Sequence, residues 1–392
     1  MTKWVTKKLG DLGYSFSGLS GKTINDFGSG KPFIPYMNIF SNGKIDPNQL
    51  EYVHIEENEH QNKVEKGDWF FTTSSETPEE VGMTSVLVDD IGEAYLNSFC
   101  FGFRLYDKNE FDPEFASYLF RSKDLRKKIS LFAQGSTRYN LPKQQMFEKL
   151  YITYPESLAE QRRIAGILSS ADGAIAASEA LIEKYRNIKR GLLATLLQPK
   201  EGWKKVKLGE VGEIVTGSTP TTTKTHYWDG VYNFYSPADF TNNVYCEKTE
   251  RTVTEQGVSV GRRIPENSIM VACIASIGKI AINRKEGITN QQINTIIPFQ
   301  GYDYQFLYYL LLYKGDSIKA KAPQTTIPII NKEDFSNLEF LIPDLTEQRR
   351  IAEILSSVDA KIAAEEKVVE KYKGVKKGLM EEMMNSGKQL KN

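Results

Sequence analysis

The chain has 392 residues, of which 40% are hydrophobic and 26% charged, and 50 Lys and Arg balance 50 Asp and Glu. This composition indicates a folded protein of two or three domains, and it excludes a bulk polycation that holds nucleic acid by charge alone. Three widely spaced cysteines indicate a reducing cytoplasm rather than a disulfide framework. No apolar run approaches the roughly 20 residues of a membrane span, and three scattered histidines predict no metal site.

An internal repeat organises the chain. Residues 160–192 match residues 347–379 at 21 of 33 positions, beginning with Glu-Gln-Arg-Arg-Ile-Ala in both copies. Weaker matches precede each copy, at the Trp-x3-Lys-Leu-Gly segments that start at Trp4 and Trp203. Duplication explains this order of variable segment, repeat, variable segment, repeat. It predicts a first domain (1–155), a first helical spacer (156–200), a second domain (201–343) and a second helical spacer (344–392).

The first domain has short β-rich runs broken by turn signals, such as Asp68–Thr73 and Phe99–Tyr106. A single helix is predicted over Pro113–Leu131, and a polar loop follows at Gln134–Asn140. The sequence therefore predicts a small α+β domain.

The first repeated segment carries a heptad seam, in which apolar residues fall on alternating steps of four and three. The seam residues are Ile164, Leu168, Ala171, Ile175, Ile182, Tyr185, Leu192 and Leu196, with Ser178 and Lys189 at the two polar steps. Additional apolar residues widen this face, which predicts contact with more than one neighbour.

The second domain repeats the plan of the first, with a strand at Ser268–Ile274, a helix from Tyr304 to about Lys319 and a polar loop at Lys321–Thr326. The second seam lies 187 residues after the first, and its residues are Ile351, Leu355, Val358, Ile362, Val369, Tyr372, Leu379 and Met383, with Glu365 and Lys376 at the polar steps. Each helix of about 40 residues would be roughly 60 Å long. Periodicity alone favours equally an antiparallel pair within the chain and a plain dimerising coiled coil.

No reaction centre is visible in the sequence. The two glycines of Gly18–Thr23 are separated by two residues, whereas a phosphate-binding loop needs four between them. The isolated histidines do not support a nucleophile and base pair. We therefore predict no catalytic residue and no metal ligand.

The order of these features resembles the specificity subunits of Type I restriction-modification systems. The most specific elements are the two Glu-Gln-Arg-Arg-Ile-Ala-x-Ile-Leu helix starts at Glu160 and Glu347, each shortly after a proline. Supporting elements are Gly67-Asp68, the loop Ser276–Lys279 and the run Asn290–Asn294. The first domain departs from the family, since Thr73–Pro78 replaces the Ser-x-Gly-Lys loop of the second.

The resemblance implies an α+β protein with pseudo-two-fold internal symmetry, in which two target-recognition domains are joined by two long helices packed as an antiparallel strut. Each domain would read one half of a split site in double-stranded DNA, and the strut would set the gap. Two modification (methyltransferase) subunits and the restriction (motor-nuclease) subunits are the implied partners. AdoMet, ATP and Mg²⁺ would belong to those partners, this chain having no cofactor, no membrane and a cytoplasmic location.

Sequence reading requires polar side chains that reach base edges and basic ones that anchor phosphates. The residues predicted to bind DNA are Lys22, Ser136, Thr137, Arg138, Tyr139, Asn140, Thr219, Thr221, Lys224, Lys279, Gln291, Gln292, Gln324, Thr325 and Thr326. The residues predicted to bind partner subunits are Glu160, Gln161, Arg162, Arg163, Glu347, Gln348, Arg349 and Arg350. Each of them has an alternative structural role in turns, helix capping or surface ion pairs. Two other functions stay open, a coiled-coil scaffold joining two protein-binding domains and a self-sufficient nuclease or methyltransferase.

Overall fold

The computed structural model describes residues 3–241, 243–321 and 328–385. The described chain forms two compact units. The first combines the residues up to Ala177 with those from Glu370 onward, and the second spans Ser178–Val369. Each unit therefore contains one α+β domain, part of the long helix that follows it and part of the other long helix. The boundaries expected between domains and spacers stay a prediction.

In the first unit, two small sheets build the domain. The strands are β1 (Trp4–Lys8), β2 (Gly13–Ser17), β3 (Phe27–Ile34), β4 (Glu51–Val53), β5 (Trp69–Thr72), β6 (Ser74–Ser75), β7 (Thr84–Val86), β8 (Tyr95–Leu96), β9 (Cys100–Leu105), β10 (Tyr139–Asn140) and β11 (Tyr151–Pro155). The helices are α1 (Leu9–Leu12), α2 (Tyr36–Ser41), α3 (Pro113–Arg121), α4 (Lys123–Ser130), α5 (Lys143–Lys149) and the start of α6 (Leu158–Leu196). The sheet orders are β2-β9-β5-β7 and β4-β3-β8, with the ribbons β1-β11 and β6-β10 beside them.

The second unit repeats this topology. Its strands are β12 (Lys204–Lys207), β13 (Gly212–Thr216), β14 (Trp228–Tyr235), β15 (Tyr245–Cys246), β16 (Arg251–Val253), β17 (Arg263–Ile264), β18 (Ile269–Ala272), β19 (Ile280–Asn283), β20 (Gly287–Thr289), β21 (Ile293–Pro298) and β22 (Glu339–Ile342). Its helices are α7 (Leu208–Val211), α8 (Glu255–Ser259), α9 (Tyr304–Tyr313), α10 (Gly315–Lys319), α11 (Lys332–Ser336) and most of α12 (Leu345–Asn385). The orders β13-β21-β18-β19-β15 and β16-β14-β20-β17 are those of the first unit with one strand added to each sheet.

The helix expected over Pro113–Leu131 is two helices. Asp112 caps the first, its carboxylate accepting from the Phe115 amide at 3.1 Å, and Pro113 occupies the first helical position. Ser122 then leaves helical geometry and caps α4, its hydroxyl accepting from the Leu125 amide at 3.4 Å. In the second unit, the helix expected to reach Lys319 also divides, at Lys314, which makes no side-chain cap hydrogen bond.

The long helices α6 and α12 are 39 and 41 residues long, as the heptad pattern predicts. They run antiparallel in both units. In the second unit Lys189 binds Asp359 at 2.7 Å and Arg186 binds Glu366 at 3.0 Å. Residue numbers therefore fall along α6 where they rise along α12, so the two helices are antiparallel. In the first unit, the end of α12 packs into the cluster that holds the start of α6. This confirms an internal antiparallel pair.

Burial follows the predicted seam until Lys189 and then shifts by one residue. Ile164, Leu168, Ile175 and Ile182 are buried as expected. Beyond them, Leu193 and Leu197 are buried in place of Leu192 and Leu196, which are partly exposed. A straight α-helix drifts by about 20° per heptad relative to a 3.5-residue repeat, and at this point α6 packs beneath the second domain.

One described helix, α6, is long and apolar enough to cross a membrane by length and composition alone. The sequence analysis expected no apolar run of this length, so α6 departs from that expectation. Length and composition are weak evidence for a span, and the start of α6 lies in the core of the first unit, where Ile164, Ala165 and Leu168 are buried.

Candidate nucleic-acid interface

A cleft of about 590 Å³ opens beside the ribbon β6-β10 in the first unit. Its walls come from the segment after the central strand β5, from helix α2 and from the hairpin that ends in β10. The lining residues are Tyr36, Phe40, Ser74, Ser75, Glu76, Glu80, Thr137 and Arg138. The cleft therefore brings two predicted DNA contacts, Thr137 and Arg138, together with the 73–78 loop that departs from the second domain.

Arg138 is held at one edge of its guanidinium. The buried Ser74 hydroxyl accepts from Nε at 3.1 Å and from Nη2 at 2.8 Å, and the Tyr36 hydroxyl donates to the Ser74 carbonyl at 2.8 Å. Burial raises the pKa of Tyr36, so its hydroxyl stays protonated and able to donate. Within the described residues, Nη1 of Arg138 has no hydrogen-bond partner. The exposed edge can donate to the acceptors of a guanine.

The position of Arg138 depends on a tight hairpin closed by two backbone bonds between Gln134 and Asn140, at 3.0 and 2.8 Å. Gly135 stands inside it with φ +137°, in the region that favours glycine. A Cβ at this position would lie 2.1 Å from the carbonyl oxygen of Arg138. Only glycine fits here without displacing Arg138.

The charges in the cleft are mixed, since Glu76 and Glu80 face the same space as Arg138. Carboxylates repel phosphates, but they accept hydrogen bonds from the amino groups of cytosine and adenine. The cleft therefore suits base edges better than the sugar-phosphate backbone.

Two arginines that the sequence gave no reason to select support the walls. Arg121 donates to the carbonyls of Ile39, Phe40, Asn42 and Thr84 at 2.6–3.0 Å. Arg126 donates to those of Glu79, Val81 and Gly82 at 2.5–2.9 Å. Burial lowers the pKa of each to about 10, so both remain cationic at neutral pH. They fix the loops that carry Phe40 and Glu80.

The second unit repeats the backbone of this site with different side chains. The Leu141 amide donates to the Thr73 carbonyl at 2.8 Å, and the Ile330 amide donates in the equivalent way to Cys273 at 2.9 Å. The Gln292 carbonyl accepts from the Cys273 amide at 2.8 Å. Beside it, the Thr219 hydroxyl and the Gln291 amide oxygen are 2.6 Å apart, so both predicted residues share one surface. Lys279 is exposed at the end of the loop that follows Cys273.

The other predicted DNA-binding residues are distributed differently. Ser136 and Asn140 are exposed and Tyr139 half-buried in the hairpin of the first unit, while Thr221 and Lys224 are exposed near Trp228 in the second. Lys22 lies elsewhere, with its ammonium bound to Glu59 and its side chain only 8% exposed. Gln324, Thr325 and Thr326 lie outside the described residues.

The two glutamines predicted to bind partners lie inside the fold instead. Gln161 accepts from the Asp112 amide at 2.8 Å and donates to the carbonyls of Pro155 at 2.9 Å and Glu110 at 3.1 Å. Gln348 makes the equivalent bonds to Asp303 and Pro343, both at 2.9 Å. Each is at most 2% exposed. They join the start of a long helix to the cap of a domain helix, which leaves them no surface for a partner.

The charged residues around these glutamines are accessible. Arg162, Arg163, Arg349 and Arg350 are exposed, and Glu160 and Glu347 are half-buried. Glu160 binds Arg163 at 2.8 Å, a bond that lowers the pKa of Glu160. Glu347 binds Lys200 at 2.9 Å and accepts from the Trp203 indole at 3.3 Å.

Comparison with known proteins shows which family has this arrangement. The model of the Type I restriction modification DNA specificity domain matches the chain twice, at residues 1–185 and 200–371. The chain belongs to this family.

Several specificity subunits are relatives by sequence. The MjaIX subunit of Methanocaldococcus jannaschii is 33% identical over 41% of this chain and 38% of its own length. The EcoR124I/EcoR124II subunit of Escherichia coli is 27% identical over 59% of this chain and 60% of its own length. The putative MjaX subunit is 26% identical over 96% of this chain and 92% of its own length. The chain thus spans less than two thirds of the length of the first two relatives.

Solved structures show the same fold. The S subunit of a Type I restriction-modification system from M. genitalium superposes with a TM-score of 0.60 at 16% identity, covering 97% of this chain and 96% of that chain. A structure from a study of the assembly of a Type I restriction-modification system gives a TM-score of 0.64 at 17% identity, with 98% of both chains covered. The expected α+β class with two long helices is confirmed for this specificity subunit.

In the part of the specificity subunit that the structure describes, no group of three or more His, Cys, Asp or Glu side chains could hold a metal ion. The main residues that sequence reasoning missed are Ser74 and Tyr36, which hold Arg138, and the half-buried Arg121 and Arg126, which support the cleft walls. Ser74 carried a signal, since it lies where the first domain departs from the loop of the second.

Proposed function

We propose that this specificity subunit reads a bipartite site in double-stranded DNA, one half with each target-recognition domain. It would position two modification subunits and the restriction subunits on cytoplasmic DNA. The long helices would set the gap between the two half-sites.

The observation that carries the proposal is the repeated backbone site with unlike side chains. In both units, the segment after the central strand binds the segment before the last domain helix through the same backbone bond. On this scaffold Ser74 and Phe99 of the first unit correspond to Ile274 and Gln292 of the second. Arg138 lies beside Ser74 in one unit, and Thr219 and Gln291 lie beside Gln292 in the other. One scaffold with two sets of donors and acceptors is what reading two different half-sites requires.

The proposal assigns catalysis to the partners. AdoMet and the adenine-methylating centres would belong to the modification subunits, and ATP and Mg²⁺ to the motor-nuclease subunits. Near-neutral charge fits this division, because basic partner subunits can supply much of the phosphate contact. The exposed arginines at the helix starts, Arg162 and Arg349 among them, are the proposed partner contacts.

DNA binding by the complex with the companion modification subunit tests the proposal. We expect one sequence class, selected from a randomised duplex library, to bind about 10³-fold or more tightly than unrelated DNA at physiological salt. A stable complex without sequence preference would contradict the proposal and support the scaffold alternative. Methylation or cleavage by the isolated chain would instead show a self-sufficient enzyme.

A further inference from the structure

In each unit, a tyrosine, an aspartate and a lysine from three different helices meet. In the first unit, the Tyr118 hydroxyl donates to Asp172 at 2.7 Å, and Lys376 binds the other oxygen of the same carboxylate at 2.5 Å. The Lys376 ammonium also lies 5.4 Å from the centre of the Tyr118 ring. These three residues form the first triad.

The second triad repeats this geometry. The Tyr309 hydroxyl donates to Asp359 at 2.7 Å, Lys189 binds the other carboxylate oxygen at 2.7 Å, and its ammonium lies 5.5 Å from the ring centre. The two aspartates are 187 residues apart, as are the two lysines, so both belong to the internal repeat.

Each triad connects a domain helix to both long helices. The tyrosine comes from α3 or α9, the aspartate from the long helix that follows that domain, and the lysine from the other long helix. Tyr118 and Tyr309 are 5% and 1% exposed. The side chains of Lys189 and Asp359 are 16% and 17% exposed, so this ion pair is largely removed from solvent.

An apolar heptad seam alone does not define one register, because a slip of seven residues again places apolar residues against apolar residues. A slip in one direction would put Lys189 opposite Ala352 and Lys376 opposite Ala165, leaving both lysines without carboxylates. A slip in the other direction would put Lys189 opposite Glu366 and Lys376 opposite Glu179. That register would take the lysine ammonium groups away from the rings of Tyr118 and Tyr309, and it would leave Asp172 and Asp359 beside the tyrosine hydroxyls without a cation.

We propose that the two triads are positioning residues that fix the register of the long helices and thereby set the gap between the two DNA half-sites. This inference rests on the proposed function. A polar contact at a seam position is known to select register in helix pairs. A slip of one heptad displaces one helix by about 10.5 Å, which corresponds to about 3 base pairs of B-form DNA.

The test removes the charges of both triads and maps N6-methyladenine at base resolution. The variant is Lys189→Met, Lys376→Met, Asp172→Asn and Asp359→Asn, expressed with the modification subunit. We expect the same two half-sites, but with a second population of methylated sites whose gap differs by about 3 base pairs. The matched control is Arg186→Met with Glu366→Gln, which removes an exposed pair between the same helices and should keep a single gap.

A single unchanged gap in the quadruple variant would overturn the proposal while leaving the proposed function intact. Absence of any split motif with the unmodified protein would instead be failure of the proposed function. If the quadruple variant does not assemble, the half-reversed chain (Lys189→Asp with Lys376→Asp) gives the answer, because it places like charges at both pairs. A shifted or mixed gap that returns to the original one when Asp359→Lys and Asp172→Lys are added supports register control by the pairs, and the original gap in the half-reversed chain contradicts it.

Discussion

At the residue scale, the proposed recognition cleft of the first unit centres on one guanidinium held by a serine. The bonds from Arg138 to Ser74 orient the side chain before any DNA arrives. Preorganisation of this kind reduces the entropy lost on binding. The free edge of the group can then contribute chiefly to discrimination between bases.

Replacing Arg138 with alanine tests this role. We expect affinity for the selected DNA to fall by about 5- to 150-fold, the range of one good bidentate base contact, with little change for unrelated DNA. Competition binding with fluorescent duplexes measures both. Lys108→Ala is the control, because the Lys108 ammonium binds Glu65 outside the cleft. An equal loss for both DNAs would show that Arg138 contacts phosphate.

Gln161 gives a prediction about stability. Gln161→Leu leaves the Asp112 amide and two carbonyls without their partner in a buried place, so we expect the free energy of unfolding to fall by about 1–3 kcal/mol. Urea denaturation followed by circular dichroism measures the change. Arg162→Ala, an exposed neighbour, should alter stability by less than about 0.5 kcal/mol. Equal stability of the Leu variant and the parent chain would contradict this account of the glutamine.

Residue roles could be predicted from sequence only where the chain gave local evidence. The polar loop at 134–140 was selected by its composition, and the structure places Thr137 and Arg138 of that loop in a cleft. Gln161 belongs to the Glu-Gln-Arg-Arg segment predicted to bind partner subunits, and the structure buries it. Its burial depends on Pro155 and Asp112, which only the tertiary structure brings together. Arg121 and Arg126 looked like ordinary surface residues of a helix.

At the element scale, long periodic segments were predictable and short interruptions were not. The heptad pattern gave both long helices because it extends over five repeats. The break at Ser122 depends on a single capping interaction, and the break at Lys314 has no side-chain cap hydrogen bond, so neither has a strong propensity signal. The paired strands after β5 and before α5 are two residues long, too short for a period to be recognised.

The hairpin that carries Arg138 provides a prediction at this scale. Gly135→Ala forces a Cβ against the Arg138 carbonyl, so we expect recognition of the first half-site to be lost while the second half-site is kept. The readout is binding to duplexes altered in one half-site at a time. Gly173→Ala is the control, since its Cβ would meet open space on α6, and it should stabilise the helix by about 0.5–1 kcal/mol. Full discrimination by the Gly135 variant would contradict the role of the hairpin.

At the scale of the whole molecule, the buried thiols measure whether both units are folded, because Cys100 lies in the first unit and Cys246 and Cys273 in the second. Burial raises the pKa of Cys246 and of Cys273 to about 11, and also raises the pKa of Cys100. A raised thiol pKa means that the native state binds protons more tightly than the unfolded chain. The associated stability is fully present below pH 9, the ordinary value, and is lost as pH rises through about 11.

We therefore expect the three thiols to react slowly with a disulfide reagent at pH 8 and rapidly once the chain is unfolded in guanidinium. Thiol titration with and without denaturant measures this difference. Urea midpoints should also fall between pH 9 and 11, in excess of the change in a variant with all three cysteines replaced by alanine or serine. Rapid labelling of the native protein would contradict the burial of these groups.

The repeated organisation of the whole chain was predictable because duplication leaves identities that need no structural knowledge. Which side chains meet inside each domain was not predictable, since the two domains share topology but almost no sequence in their middles. The bonds that join Thr73 to Leu141 and Cys273 to Ile330 are visible only in the structure.

The central claim is that one domain reads one half of a split DNA site. The most direct measurement is base-resolution mapping of N6-methyladenine in cells that express this chain with its modification subunit, before and after residues 1–155 are exchanged for those of a related specificity subunit. We predict a split motif with a fixed gap, present only when both proteins are expressed, in which the exchange alters one half alone. A change in both halves, or no methylation despite a stable complex and an active methyltransferase, would contradict the account.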